Sequence, residues 1–125
     1  MSSRDKQERL SDYLMHIPQA IERIRRYTGG MTEVKFAEDE LTQDAVIRNL
    51  EVIGEASNNI QKRFPDFAAA HPELPLASAY QMRNAVAHGC FSVDLEIVWK
   101  TIQGDLATLS ERVREQVLML ANARP

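Results

Sequence analysis

A single cysteine, Cys90, stands in 125 residues, which excludes an internal disulfide framework and a Cys-rich zinc site and suits a reducing cytoplasm. Glycine and proline number five each and aromatic residues make up 6%, too little for a sandwich or barrel built on many tight turns. No apolar run approaches the roughly 18 residues of a membrane span, and the stretch from Met1 to Leu10 is charged, so neither a span nor a signal peptide is expected. Positive charge is also short. Lys and Arg number 15 against 18 Asp and Glu, a net charge of -3, which argues against a broad electrostatic grip on nucleic acid while leaving room for a small local basic site. What is present is a globular balance of 44% hydrophobic and 26% charged residues. The length suits one compact domain over residues 1–125, able to bury a core without help from disulfide or metal.

Helical periodicity governs the chain and no β alternation is sustained. The first helix is expected from about Asp5 to Tyr27, with Leu10, Tyr13, Leu14, Ile17, Ile21, Ile24 and Tyr27 on one buried face. Pro18 lies inside it and predicts a kink or an early break, and Gly29-Gly30 ends it. Thr32 reads as the N-cap of a short turn of helix through Ala37. A longer helix follows from about Glu40 to Arg63, with Leu41, Ala45, Val46, Leu50, Ile53, Ala56 and Ile60 inward and Arg48 at ion-pair spacing from Asp44 and Glu51. Residues Pro65 to Pro75 read as a connection with one helical turn at Phe67–Ala70. A third main helix spans about Leu76 to His88 and stops at Gly89. The last begins after Ser92 or Asp94 and runs unbroken to about Ala121, with Leu95, Val98, Trp99, Ile102, Leu106, Leu109, Val113, Val117 and Leu120 inward. Four main helices with mostly short loops predict an all-α, antiparallel up-down bundle.

The segment Met82 to Phe91 gathers the chemically useful side chains. Arg83 carries a permanent cation whose planar fork suits phosphate or carboxylate. His88 exchanges protons near neutral pH. At about 100° per residue, Asn84 and His88 share a helix face, whereas Arg83 and His88 diverge by about 140° in a straight helix. The pair converges if the helix ends at His88-Gly89, or if a symmetric partner supplies the second residue. Facing a phosphodiester, His88 would move protons while Arg83 stabilises the charged phosphorane. The bland alternative is a surface ion pair for Arg83 and a helix-end charge for His88. His16 and His71 show no metal-ligand spacing. Arg23, Arg25 and Arg26 form the densest basic cluster, suited to steering RNA or an acidic partner, or simply to a solvated helix end. Trp99 reads as core, and Gly29-Gly30 lacks a phosphate-loop context.

The run Arg83-Asn84-Ala85-Val86-Ala87-His88-Gly89-Cys90 resembles the Arg-Asn-x3-His-x-Tyr motif of the HEPN superfamily, specifically its HepT-like ribonuclease toxins. The blocks Ala20–Ile24, Leu41–Ala56 and Phe91–Trp99 resemble the same family, so the likeness covers roughly residues 8 to 110 in order. The resemblance implies a HEPN-like helical bundle that forms a homodimer, with the motifs of both subunits facing a shared cleft. It implies a metal-independent endoribonuclease of a toxin–antitoxin pair, acting on RNA without a cofactor and held in check by a nucleotidyltransferase antitoxin. Carried over, Arg83 and His88 are the catalytic residues and Asn84 supports them. Cys90 departs from the pattern, standing where the family has the tyrosine that accepts AMP from the antitoxin. A thiol lacks the phenol's reach and ring, so control by tyrosine adenylylation is not expected at this position. The resemblance also admits a second reading, a catalytically weak bundle acting as the nucleotidyltransferase's binding partner.

Overall fold

The computed structural model describes residues 3–87 and 95–122, with side chains over 4–81 and 95–122. Seven helices occupy them: α1 (Ser3–Thr28), α2 (Glu33–Glu38), α3 (Glu40–Arg63), α4 (Pro65–Ala70), α5 (Leu76–Ala87), α6 (Leu95–Gln103) and α7 (Asp105–Asn122). The described residues contain no strand. The main packing runs α5 on α3, α3 on α1 and α1 on α7, while α6 bridges α2 and α7. α1 and α3 are antiparallel: Tyr13 meets Phe64 ring to ring at 6.3 Å, and Arg23 meets Asn49 further along. No helix among the described residues is long and apolar enough to cross a membrane.

The helix ends follow local chemistry. α1 terminates at Gly30, whose φ of +76° is costly for any residue with a Cβ. Thr32 caps α2 as expected, its hydroxyl accepting from the Lys35 amide at 3.2 Å. Asp39 caps α3, and Gln43 reaches back from α3 to donate to the Phe36 carbonyl at 2.8 Å and the Ala37 carbonyl at 3.1 Å. The carbonyls exposed at the end of α2 are thereby satisfied. α4 opens on Pro65 at its first turn, where a missing amide costs nothing, and so begins two residues before the expected turn.

The core is one cluster built from Leu14, Ile17, Ile21 and Ile24 of α1, Val46, Leu50, Ile53 and Ile60 of α3, Phe36 of α2, Val98 of α6 and Val113 of α7. Hydroxyls within it bond four residues back along their own helices, Thr28 to the Ile24 carbonyl and Ser57 to the Ile53 carbonyl, each at 2.8 Å. Among the described residues no buried side-chain nitrogen or oxygen lacks a partner.

Four expectations change. Of the kink or early break expected at Pro18, the break does not occur: α1 runs on through it with the proline ring wholly buried. Leu41, expected inward, is 82% exposed, because it sits in the first turn of α3, before the helix begins to bury residues at Val46. Tyr27 is 39% exposed at the end of α1. The long last helix is two, interrupted at Gly104. Glycine has the poorest helix propensity after proline, and the two halves have different partners: α6 lays Trp99 against Phe36 with ring centroids 5.4 Å apart, whereas α7 packs on α1. The expected caps Ser92 and Asp94 lie outside the described residues.

Candidate active site

α5 carries the first residues of the motif, Arg83 to Ala87, and its start is anchored by hydrogen bonds and burial. The Leu76 amide donates to the Leu74 carbonyl at 2.8 Å and the Ala79 amide to the Pro75 carbonyl at 2.9 Å. Leu74, Leu76 and Ala79 are all buried. The preceding loop is fastened to α7 through Glu73. Arg112 donates to the Glu73 backbone carbonyl at 2.8 Å, and Gln116 donates to its carboxylate at 3.4 Å. His71 Nδ1 lies 2.9 Å from the same carboxylate. The Glu73 carboxyl is held below its ordinary range, first by a hydrogen bond from its own backbone amide, then by the His71 hydrogen bond and by the charges of His71 and Arg112.

From this anchored start α5 runs along α3 and places Arg83 and Asn84 side by side in its last turn and a half. Seven residues separate Leu76 from Arg83, a rotation of about -20°, so position 83 continues the stripe that Leu76 and Ala79 begin. Asn84 falls about 80° from Leu76, at the edge of that stripe. His88 and Cys90 lie outside the described residues. The helix thus brings Arg83 and Asn84 together at one end of the bundle, the end from which the chain leads on to α6. Beside the first turn of α5, a hollow of about 450 Å³ separates it from α6 and α7, with Ala79, Thr101, Leu106, Leu109 and Arg112 among its walls.

Two of the three histidines have ordinary partners. His71 pairs with Glu73, and His16 stands edge-on to Tyr13 at 6.3 Å. Among the described residues no three His, Cys, Asp or Glu side chains gather in a way that could hold a metal ion. The structure also singles out a residue that sequence reasoning passed over. Asn49 is 6% exposed, accepts from Arg23 Nε at 2.7 Å and donates to the Ala45 carbonyl at 2.8 Å. Its signal was an amide at an apolar register of α3, between Val46 and Leu50.

Comparison with known proteins agrees with this architecture. The family model described as "Ribonuclease HepT-like" matches residues 17–116. "Probable ribonuclease HepT" of Thermococcus cleftensis is 44% identical over 98 residues, covering 78% of this chain and 86% of that protein. "Gamma-glutamylcyclotransferase and putative RNase" of Methanocaldococcus jannaschii is 36% identical over 81% of this chain and 44% of that longer protein. A "Putative RNase" of Caldanaerobacter subterraneus is 33% identical over 82% of this chain and 89% of that protein. None of the solved structures matches.

Proposed function

The chain belongs to the ribonuclease HepT-like family, and on that premise we propose that it is an endoribonuclease cleaving RNA without a metal ion at Arg83 and His88. The observation that carries the reading is the family match over residues 17–116, a span that contains the whole Arg83-to-Cys90 motif. In the reaction, the ribose 2′-oxygen bonds to phosphorus as the bond from phosphorus to the 5′-oxygen breaks. The products are a 2′,3′-cyclic phosphate and a free 5′-hydroxyl. His88 takes the proton from the attacking hydroxyl or returns one to the leaving oxygen. Arg83 holds the phosphoryl oxygens as charge builds on them, and Asn84 supplies a neutral hydrogen-bonding group beside it.

A homodimer supports this chemistry by facing two motifs across one cleft, one His88 serving as base and the other as acid. α5 suits such an interface. It packs chiefly on α3 and its sequence is apolar nearly all round, with Leu76, Ala77, Ala79, Tyr80, Met82, Ala85, Val86 and Ala87. We further propose a nucleotidyltransferase antitoxin as partner in the cytoplasm. Cys90 in the tyrosine position means that such a partner restrains the chain by occupying the cleft and not by transferring AMP to a phenol.

The test is cleavage of labelled tRNA and mRNA by the purified chain with EDTA present, parent beside His88→Ala and Arg83→Ala. The parent should leave cyclic phosphate ends; His88→Ala should lose roughly 10²–10⁴-fold in rate, the usual contribution of a positioned acid–base group, and Arg83→Ala roughly 10²–10³-fold, that of a donor to the developing charge. An His88→Ala protein as active as its parent would sink the assignment. The second reading, a bundle whose work is binding the nucleotidyltransferase, rests on Cys90 and on the net charge of -3. It is favoured if the folded parent is silent and Cys90→Tyr creates activity.

A further inference from the structure

The α1 residues Arg9, Tyr13, His16, Arg23 and Tyr27 are spaced by 4, 3, 7 and 4 positions, which sets cations and aromatic rings along a single helical flank. That flank borders the outer groove between α1 and α3. Tyr13 and His16 line two hollows, one of about 360 Å³ along α1 with Arg9 and Asp12, and one of about 220 Å³ between α1 and α3 with Arg48 and Asn59. Carboxylates share this lower stretch: Asp12 in the first hollow, Glu55 and Glu51 in the second, the last paired with Arg48 at 3.9 Å. The upper part differs. From Arg23 to Tyr27 the chain reads Arg-Ile-Arg-Arg-Tyr, and the adjacent Glu22 lies about 100° around the helix from Arg23.

Arg23 is not a loose surface cation. It is half-buried, and its Nε is held at 2.7 Å by the side-chain oxygen of Asn49, itself more than nine-tenths buried. The amide nitrogen of Asn49 is in turn fixed on the Ala45 carbonyl. Among the described residues this is the one hydrogen bond of Arg23, so the two terminal nitrogens of its fork have no other hydrogen-bond partner there. One turn along the same flank, the Tyr27 ring is 39% exposed. An oriented guanidinium beside an uncovered aromatic ring is the pairing that holds single-stranded nucleic acid, the cation on a phosphate and the ring under a base.

Resting on the ribonuclease reading, we infer that Arg23 and Tyr27 form an RNA-holding site on the outer face of α1, separate from the motif that begins at Arg83 on α5. Arg23 takes a backbone phosphate and Tyr27 stacks a base of a single-stranded segment. A merely structural tie between α1 and α3 would account for the Arg23–Asn49 bond. It would not account for an open ring beside it, and it predicts no dependence of RNA affinity on Tyr27.

The experiment measures binding of the full chain to a short single-stranded RNA whose riboses carry 2′-O-methyl groups, which blocks cleavage, by fluorescence anisotropy over a range of salt. Arg23→Gln should lower the slope of log affinity against log salt by about 0.7, one phosphate contact on a single strand. Tyr27→Ala should weaken binding roughly tenfold and Tyr27→Phe should restore it, since stacking needs the ring and not the hydroxyl. Tyr27 is exposed, so its variants keep the test decisive even if Arg23→Gln perturbs folding. Variants that match the parent in affinity and salt slope overturn the inference. So does a loss at Arg23 with none at Tyr27→Ala, the pattern of an acidic protein partner. Cleavable RNA is run in parallel: cleavage by the parent with unchanged binding in the variants overturns this site alone, whereas a parent that neither binds nor cleaves overturns the ribonuclease reading with it.

Discussion

Asp39 closes α2 with its backbone amide, which donates to the Phe36 carbonyl at 3.3 Å, and opens α3 with its carboxylate, which accepts from the Thr42 amide at 3.0 Å. The Thr42 backbone hydrogen bond, then that of its hydroxyl, favours the ionised form and holds the Asp39 carboxyl below its ordinary value. A group whose folded pKa is lowered stabilises the fold above its unfolded pKa, and that contribution is lost as pH falls through the folded value. Asp39 and Glu73 are both of this kind, so stability should decline below about pH 4. Asp39→Asn keeps an acceptor for the Thr42 amide and removes the titration. Melts at pH 7 and pH 3 should therefore show a smaller acid-side loss of Tm in the variant than in the parent; equal losses would mean that the cap does not titrate with folding. Polar side chains were unevenly legible in the sequence. Thr32 was legible because it precedes a short amphipathic turn, whereas Asn49 was not, because a buried amide is distinguished only by what it meets on another helix.

The stretch after residue 94 shows how an element is decided. Its inward stripe from Leu95 to Leu120 keeps a 3–4 spacing throughout, and Val98, Leu106, Leu109 and Val113 are buried as that spacing requires. Periodicity carries no information about a break between Gln103 and Asp105, because a short interruption can leave the stripe in phase. Gly104 has no positive φ, and a Cβ placed on it would meet the Lys100 carbonyl oxygen at an ordinary 3.5 Å. Gly104→Ala should therefore raise stability by about 0.4–1 kcal/mol, chiefly by restricting the unfolded chain, as read from urea midpoints. A destabilised variant would show that the break between α6 and α7 needs a conformation that alanine resists. Pro18 gives the converse lesson: its ring is buried among core residues, and α1 continues through a residue that local rules mark as a kink or a stop.

Across the whole molecule, stability rests on the seam where α3 meets its neighbours. Ile53 lies near the middle of α3 and is wholly buried within the core cluster. Ile53→Ala should cost about 2–5 kcal/mol, the range for truncating a buried aliphatic side chain where neighbours cannot fully collapse. Chemical denaturation would measure it, and a cost below 1 kcal/mol would mean that the core is looser than its burial indicates. The same seam supports α5, so the variant should also weaken RNA cleavage at temperatures where the parent is fully folded.

The sequence by itself determined the all-helical class, the helix-forming stretches and most of the inward faces, because 3.6-residue periodicity and capping are local properties that each segment carries alone. Its resemblance to the HepT-like family was legible as well, carried by motif blocks distributed along the chain and matched over residues 17–116. Only the tertiary structure decided that α5 leans on α3, that Glu73 is clasped by Arg112 and Gln116, that the last helix breaks at Gly104, and that Asn49 holds Arg23 in place. Those features depend on which faces meet across tens of residues of chain. Many packings are compatible with the same apolar stripes, and the contacts between helices select one of them.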